Sequence, residues 1–200
     1  MPGEPVTRRG RASRERIVER AAELFAARGV AATSVEEVLA AAGAGKGQVY
    51  HYFRGRDELA AAAVGYRCAQ VVAGLTQALG EVSSLAGLER ALWAFAAGFE
   101  EMGMPGCPIG TLSTEVAGRN EEARLQAAAG FDAWERLLAG VLERMREHGE
   151  LQAGAEPAAL ATGLLASIEG GMVLAQARRD MASLRVALKA GLAQVRAWAS

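Results

Sequence analysis

Apolar side chains recur every three or four residues along most of this chain, which is the period of an α-helix rather than a strand. No stretch alternates β-branched and polar residues, and alanine is abundant, so we expect an all-α fold without a sheet. Glycines, prolines and capping residues divide the pattern into segments. These predict helices over residues 13–28, 34–43, 45–53, 57–79, 84–102, 107–117, 120–148, 157–178 and 182–199.

The stretch from Thr33 to Leu59 predicts two short helices joined by a tight turn. Ser34 followed by Glu37 has the spacing of a capping box, in which each residue satisfies a backbone N–H of the other. Gly43 can take the left-handed conformation that ends a helix. The second short helix then begins near Gly45, and a third, longer one follows it.

That second short helix carries an unusual set of side chains for a plain surface helix. Within a turn and a half it presents Lys46, Gln48, Tyr50, His51 and Tyr52. Glutamine reads adenine and lysine reads guanine through hydrogen bonds in the major groove, while tyrosine and histidine donate to phosphates. The pattern therefore favours a helix-turn-helix that enters DNA. The alternative is a polar elbow between packed helices, with Val49 and Phe53 as core.

Residues 13–66 resemble the DNA-binding domain of TetR-family transcriptional repressors. The resemblance rests on a set of short motifs, which are Phe25-Ala26-Ala27-Arg28-Gly29, Thr33-Ser34-Val35, Ala42-Gly43, Lys46-Gly47, Tyr50, Tyr52-Phe53 and Arg56-Asp57-Glu58-Leu59. One position departs from the family, because Gly45 stands where a polar residue usually begins the reading helix. Its side chain is therefore not counted as a phosphate contact.

The resemblance implies a division of the chain and a function. It implies a basic, disordered arm over residues 1–12, a helix-turn-helix domain over 13–56, and a ligand-binding and dimerisation domain over 57–200. The implied function is a repressor that binds a palindromic double-stranded operator as a homodimer and is released by a small apolar effector, with no cofactor. The DNA contacts carried over are Ser34, Lys46, Gly47, Gln48, Tyr50, His51, Tyr52 and Arg56.

Charge is unevenly spread along the chain. Residues 1–67 hold 11 Lys and Arg against 8 Asp and Glu, although the net charge of the whole is −1. The arginines before and at the start of the first helix suit a phosphate-tracking or minor-groove arm, or else a solvated tail. No apolar run reaches 18 residues and no secretory signal is visible, so neither a membrane span nor export is expected. Two cysteines, Cys68 and Cys107, and two histidines predict neither a disulfide framework nor a metal site, so we expect a cytoplasmic protein without a bound metal.

Large flexible and planar side chains gather in the middle of the chain, and they predict a mostly apolar effector cavity between the helices of residues 84–102, 107–117 and 120–148. The alternative is that they only fill a core. Glu115 and Glu169 are acids within apolar helices, and each is either a pocket anchor or a buried, paired carboxylate. Oxidation of Cys107 is a rival route to induction. The predicted effector residues are Trp93, Phe99, Met102, Met104, Cys107, Thr111, Glu115, Phe131 and Trp134.

The last two helices carry adjoining stripes of small and large residues, which allow two helices to interlock closely. On the pattern alone, packing within one chain is the commoner case, whereas the resemblance favours a dimer interface of two helices from each subunit. The residues predicted for that interface are Gly163, Leu164, Ser167, Ile168, Gly171, Met172, Leu184, Leu188, Leu192 and Val195.

No catalytic motif stands out in the sequence, and its close glycines do not follow a strand, so a dinucleotide-binding loop is not indicated. We therefore predict that the chain is not an enzyme. Two alternatives remain open beside the repressor. One is a helical ligand-binding protein or enzyme without DNA-binding activity, and the other is a dimeric scaffold that lacks an effector.

Overall fold

A computed structural model describes residues 7–200 of the chain. Within that range the only β-type pairing is a single bridge between Leu151 and Ala199, so the described chain is all-α. Its helices are α1 (Arg8–Arg28), α2 (Val35–Ala42), α3 (Lys46–Tyr52), α4 (Arg56–Leu79), α5 (Leu85–Glu101), α6 (Pro108–Val116), α7 (Glu121–Glu147), α8 (Pro157–Arg178) and α9 (Ala182–Arg196).

The described residues form two compact units. The first comprises the chain up to Val71 together with Pro108–Gly130, and the second comprises Val72–Cys107 together with Phe131–Ser200. Helices α4 and α7 each begin in the first unit and end in the second. This division differs from the predicted boundary after residue 56, because α6 belongs to the same unit as the helix-turn-helix.

Helix α1 begins five residues earlier than the sequence pattern indicated. Thr7 is its N-cap, with its hydroxyl accepting a hydrogen bond from the Gly10 N–H at 3.1 Å. Ser13, predicted as the cap, lies inside the helix and is buried. The prediction that residues 1–12 form a disordered arm is therefore wrong for residues 8–12, and residues 1–6 lie outside the described range.

The two short helices form by the local signals that predicted them. Ser34 and Glu37 make the capping box, and Gly43 adopts the left-handed conformation (φ 58°) at the end of α2. Helix α1 packs against both α2 and α3. The buried apolar residues that these three helices contribute include Ile17, Val18, Ala21, Phe25, Val38, Leu39 and Val49.

Helices α8 and α9 interlock within the single chain. A Cβ added at Gly171 would lie 2.8 Å from the Ala187 Cβ, and one at Gly191 would lie 2.8 Å from a methyl carbon of Leu164. The glycines therefore allow the two helices to approach closely.

The predicted dimer interface is corrected by this packing. Its large members are essentially inaccessible inside one chain, at 2% exposure or less, so a partner subunit cannot reach them; they are Leu164, Ile168, Met172, Leu184, Leu188, Leu192 and Val195. Its small members serve the same internal seam. Gly171 is also buried, while Gly163 and Ser167 are half-buried. The Ser167 hydroxyl donates to the Gly163 carbonyl at 2.9 Å.

Helices α4 and α8 are long and apolar enough, by length and composition, to cross a membrane. Charged and polar residues interrupt the apolar run of both helices, so the sequence pattern did not predict a span. Both helices bury part of their apolar surface within the fold. Core helices of water-soluble proteins have the same character, so these helices are weak evidence for a membrane span.

Candidate functional site

Helix α3 exposes one face whose side chains and backbone are open to a partner. Lys46, Gly47, Tyr50 and His51 all lie on it, and Tyr50 is 65% exposed. No atom lies within 4 Å of where a Cβ at Gly47 would stand, so the backbone itself is accessible there. The opposite face carries Val49, which is fully buried. This is the geometry of a helix that is anchored on one side and free to enter a groove on the other.

Lys46 makes a weak, exposed ion pair with Glu36. Its Nζ lies 3.4 Å from the Glu36 Oε1, and both side chains are more than 60% exposed. A backbone hydrogen bond lowers the pKa of Glu36, and Lys46 lowers it further. Exposed ion pairs of this kind contribute little to stability. Lys46 is therefore able to leave Glu36 for a phosphate or a base at little cost.

Gln48 is engaged at both ends of its amide, in contrast to its predicted role in reading a base. Its Oε1 accepts from the Gly45 N–H at 3.0 Å, and its Nε2 donates to the Ser13 hydroxyl at 3.3 Å. The side chain therefore caps α3 and ties it to α1 in the free protein. The signal was present in the sequence, because Gly45 and Gln48 have the same spacing as Ser34 and Glu37 in the capping box of α2.

Three further predicted DNA contacts are occupied in the fold. The Ser34 hydroxyl accepts from the Glu37 N–H at 3.2 Å and donates to the Glu37 carboxylate at 2.8 Å. Tyr52 is only 8% exposed. The Arg56 Nη2 donates to the carbonyl of Val30 at 2.6 Å, and also to those of Ala31 and Thr33. These residues shape the helix-turn-helix, so their predicted contacts with phosphate compete with bonds already made.

Two arginines of α1 have structural roles that the sequence reading missed. The Arg14 guanidinium lies over the Phe53 ring, 5.0 Å from its centroid. The Arg16 Nε donates to the Ala42 carbonyl at 2.9 Å, which satisfies a free carbonyl at the end of α2. Arg8 and Arg9 are exposed at the start of α1 and remain available to phosphates.

The second unit holds part of the predicted effector cluster. The rings of Phe95 and Trp134 meet edge to face, with centroids 6.3 Å apart. Phe99 and Trp134 are buried, at 2% and 3% exposure. Trp93, Met104 and Phe131 are half-buried. Met102 is 70% exposed, so it is not part of a buried cluster.

The predicted effector residues of α6 have a different environment. Thr111 is exposed on this helix, which lies in the first unit. The Glu115 Oε1 accepts a hydrogen bond from the Ala31 N–H at 2.9 Å. Glu115 therefore contacts the loop before α2, and its predicted role as a pocket anchor stays a prediction.

Cys107, which is buried, and Glu169, which is half-buried, form a polar pair in the second unit. The Cys107 side chain hydrogen-bonds to the Glu169 carboxyl group. Burial raises the pKa of Glu169, and the bond from Cys107 opposes part of that rise. The Glu169 Oε1 is buried without a hydrogen-bond partner. An acceptor left in this state is costly, and a ligand that brought a donor would satisfy it.

Comparison with known proteins assigns both ends of the chain to one family. Residues 17–63 match the family model described as bacterial regulatory proteins, tetR family. Residues 84–190 match the model described as transcriptional regulator LmrA/YxaF-like, C-terminal domain. The second match alone covers more than half of the chain.

Individual relatives agree with both family models. The HTH-type transcriptional regulator Rv0196 of Mycobacterium tuberculosis is 34% identical over 184 residues, covering 86% of this chain and 88% of the relative. YxaF of Bacillus subtilis, also an HTH-type transcriptional regulator, is 32% identical, covering 86% and 89%. The crystal structure of reduced Escherichia coli NemR superposes with a TM-score of 0.77 at 27% identity, covering 94% and 97%. Such proteins are DNA-binding regulators rather than enzymes, and the chain belongs to the TetR family of transcriptional regulators.

Proposed function

We propose that this chain is a ligand-responsive repressor that binds a near-palindromic operator as a homodimer in the cytoplasm. The observation that carries the proposal is the exposed face of α3 on a rigidly capped helix-turn-helix. One such face per chain calls for a second copy, because a two-fold dimer presents two reading helices to two half-sites.

The DNA contacts we propose are those that the fold leaves available. Lys46 and His51 supply donors, and Tyr50 supplies an exposed ring and hydroxyl. Gly47 lets the α3 backbone approach a phosphate closely, because no side chain stands there. Ser34, Gln48, Tyr52 and Arg56 hold the helices in position, and any contact they make with DNA is secondary to that role.

We propose the dimer contact on the outer face of α8 and α9 rather than on their shared seam. Exposed, uncharged residues recur there every three or four positions; on α8 they are Thr162, Ala166, Gly170, Val173, Leu174 and Ala177, and on α9 they are Val186, Ala190 and Ala193. Each stripe lies roughly a quarter to a third of a turn from the residues where the two helices touch, and in an antiparallel hairpin this puts both stripes on the same side. The touching residues are Gly163, Ser167 and Gly171 on α8 and Leu184, Ala187 and Gly191 on α9.

The exposure of the large members of that face supports the choice. Val173 is 57% exposed, Leu174 is 44% exposed and Val186 is 66% exposed. A contiguous exposed apolar patch is typical of an interaction site. The small residues between them would let two copies approach closely.

For the effector, we propose a small apolar molecule that carries a hydrogen-bond donor. The aromatic groups of α5 and α7 in the second unit supply the apolar surface. The unpartnered Glu169 Oε1 supplies the acceptor, in place of the predicted Glu115. Oxidation of Cys107, whose thiol hydrogen-bonds to Glu169, stands as the second route.

The experiment has three steps. Selection from random DNA by the purified protein should enrich a two-fold symmetric site, and sedimentation should give a dimer at micromolar concentration. The complex is then titrated with apolar drugs and dyes, and separately with peroxide. Release by an apolar donor that is lost in Glu169→Ala supports the effector site, whereas release only by peroxide, abolished in Cys107→Ser, would replace it with a redox route. A monomer that enriches no sequence would refute the proposal.

A further inference from the structure

The loop between α1 and α2, residues 29–33, is held by a side chain from far along the chain. Glu115 of α6 is 84 residues away in sequence, and its Oε1 accepts the Ala31 N–H at 2.9 Å. Helix α6 lies in the same compact unit as this loop.

The loop is shaped to admit that carboxylate. Gly29 has a φ of +89°, a conformation that side chains rarely adopt, and a Cβ there would lie 2.8 Å from the Glu115 Oε1. Glycine at this position therefore serves two purposes. It ends α1, and it leaves the space that the carboxylate enters.

A second clamp fixes the other side of the same loop. The Arg56 Nη2 donates to three loop carbonyls, including Val30 at 2.6 Å, and the Thr33 hydroxyl donates to the Gly29 carbonyl at 2.8 Å. Arg56 and Glu115 line one cleft of about 180 Å³. The loop is thus bonded to α4 through its carbonyls and to α6 through its N–H.

The position of the loop determines where the DNA-reading element begins. Ser34, the N-cap of α2, follows the loop directly, and α2 leads through a short turn to α3. A displacement of α6 would pull the Ala31 N–H and move the start of α2 with it. The contact therefore joins a helix outside the helix-turn-helix to the helix that enters DNA.

We infer that Glu115 is a positioning residue for DNA binding, which couples α6 to the reading helix through the Ala31 amide. The inference rests on the proposed function, because it assigns to Glu115 the setting of the α3 position. It also offers a way for an effector to change DNA affinity, because a ligand that favours a shifted α6 would alter the hydrogen bond between Glu115 and the Ala31 amide. Such a ligand changes affinity only by its preference for one of the two positions.

Two variants of Glu115 separate the reach of the side chain from its charge. Glu115→Gln keeps an oxygen at the same reach and loses the charge, whereas Glu115→Asp keeps the charge and is one methylene too short. We expect the Gln variant to stay within about two-fold of wild-type operator affinity, and the Asp variant to bind on the order of three- to ten-fold more weakly, as loss of one hydrogen bond implies.

A control variant shows how much of any change in DNA affinity comes from the loss of one negative charge. Glu122→Gln takes the same negative charge from an exposed position in the same unit. It should bind DNA as tightly as wild type or slightly tighter, because it weakens repulsion of the phosphates. Circular dichroism and denaturant midpoints confirm that each variant is folded before its affinity is compared.

Hydrogen exchange at the Ala31 amide tests the contact without DNA. Exchange should be faster in Glu115→Asp than in wild type and nearly unchanged in Glu115→Gln. If the wild type selects no operator sequence, the proposed function fails, but hydrogen exchange at the Ala31 amide still tests whether Glu115 holds the loop. Equal affinities of the Asp and Gln variants, or unchanged exchange in the Asp variant, would overturn the inference.

Discussion

Two residues of α9, only two positions apart, should respond to substitution in opposite ways. Leu188 is fully buried in the seam with α8, whereas Val186 is 66% exposed on the outer face. Leu188→Ala should lower the free energy of unfolding and leave the dimer in place. Val186→Glu should leave the fold intact and separate the subunits, because it puts a charge at the proposed dimer contact.

The magnitude for Leu188 follows from its burial. Replacing a fully buried leucine by alanine removes its transfer free energy and leaves a cavity, which together cost about 2–5 kcal/mol. For a chain of this length, each kcal/mol lowers the melting temperature by roughly 2–4 °C. The expected loss is therefore roughly 4–20 °C. Substitution at an exposed site such as Val186 changes the stability of the fold by about 0.5 kcal/mol or less.

The assay combines denaturation with sedimentation at two protein concentrations. Association stabilises by mass action, so the wild-type midpoint should rise with concentration, and so should that of Leu188→Ala. The midpoint of Val186→Glu should be independent of concentration, and its sedimentation should give a monomer. If Leu188→Ala is the variant that dissociates while Val186→Glu remains a dimer, the assignment of seam and outer face is wrong.

Three further substitutions test the description of α3 and the buried acid. Gln48→Ala should lower the free energy of unfolding by about 1–2 kcal/mol without DNA, since it removes a helix cap and a bond to α1; an unchanged denaturant midpoint would contradict this. Gly47→Ala should raise helix stability by up to about 1 kcal/mol, and yet it should weaken DNA binding, because the added methyl group stands where the backbone is proposed to meet phosphate. Thermal melting measures the stability and fluorescence anisotropy measures the DNA affinity; an unchanged affinity would refute the backbone contact. Burial raises the pKa of Glu169 in the folded state above its ordinary value of 4.5, so the wild type loses stability as pH rises from that value towards the raised pKa. Glu169→Gln should therefore be more stable than wild type at pH 7 and similar near pH 4 by denaturant midpoint, and a gain of equal size at both pH values would contradict the pKa argument.

Local signals were sufficient for most helix boundaries. The capping box of Ser34 and the glycine at 43 act within a single turn, so their spacing alone predicted α2 correctly. The early start of α1 was missed because Ser13 has the chemistry of a cap, and only its burial against Gln48 shows that it lies inside the helix.

Contacts between distant parts of the chain decided which partner each residue meets, and the sequence pattern could not predict them. The apolar stripe through Leu188 indicated a buried surface but not whether the partner was the same chain or another copy. Glu115 was expected in an effector pocket because an acid in an apolar helix needs a partner, but that partner is the Ala31 amide of a distant loop. Sequence spacing carries no information about a contact between residues 84 positions apart.

The central claim is that the exposed face of α3 binds DNA. Its most direct test is the affinity of the wild type, Tyr50→Ala and Lys46→Ala for a DNA site selected by the wild type, measured against a scrambled duplex over a range of salt concentrations. The wild type should prefer the selected site, with an affinity that falls as salt rises, and both variants should bind it more weakly while keeping wild-type stability. Undiminished binding by both variants, or equal wild-type affinity for the two duplexes, would contradict the claim.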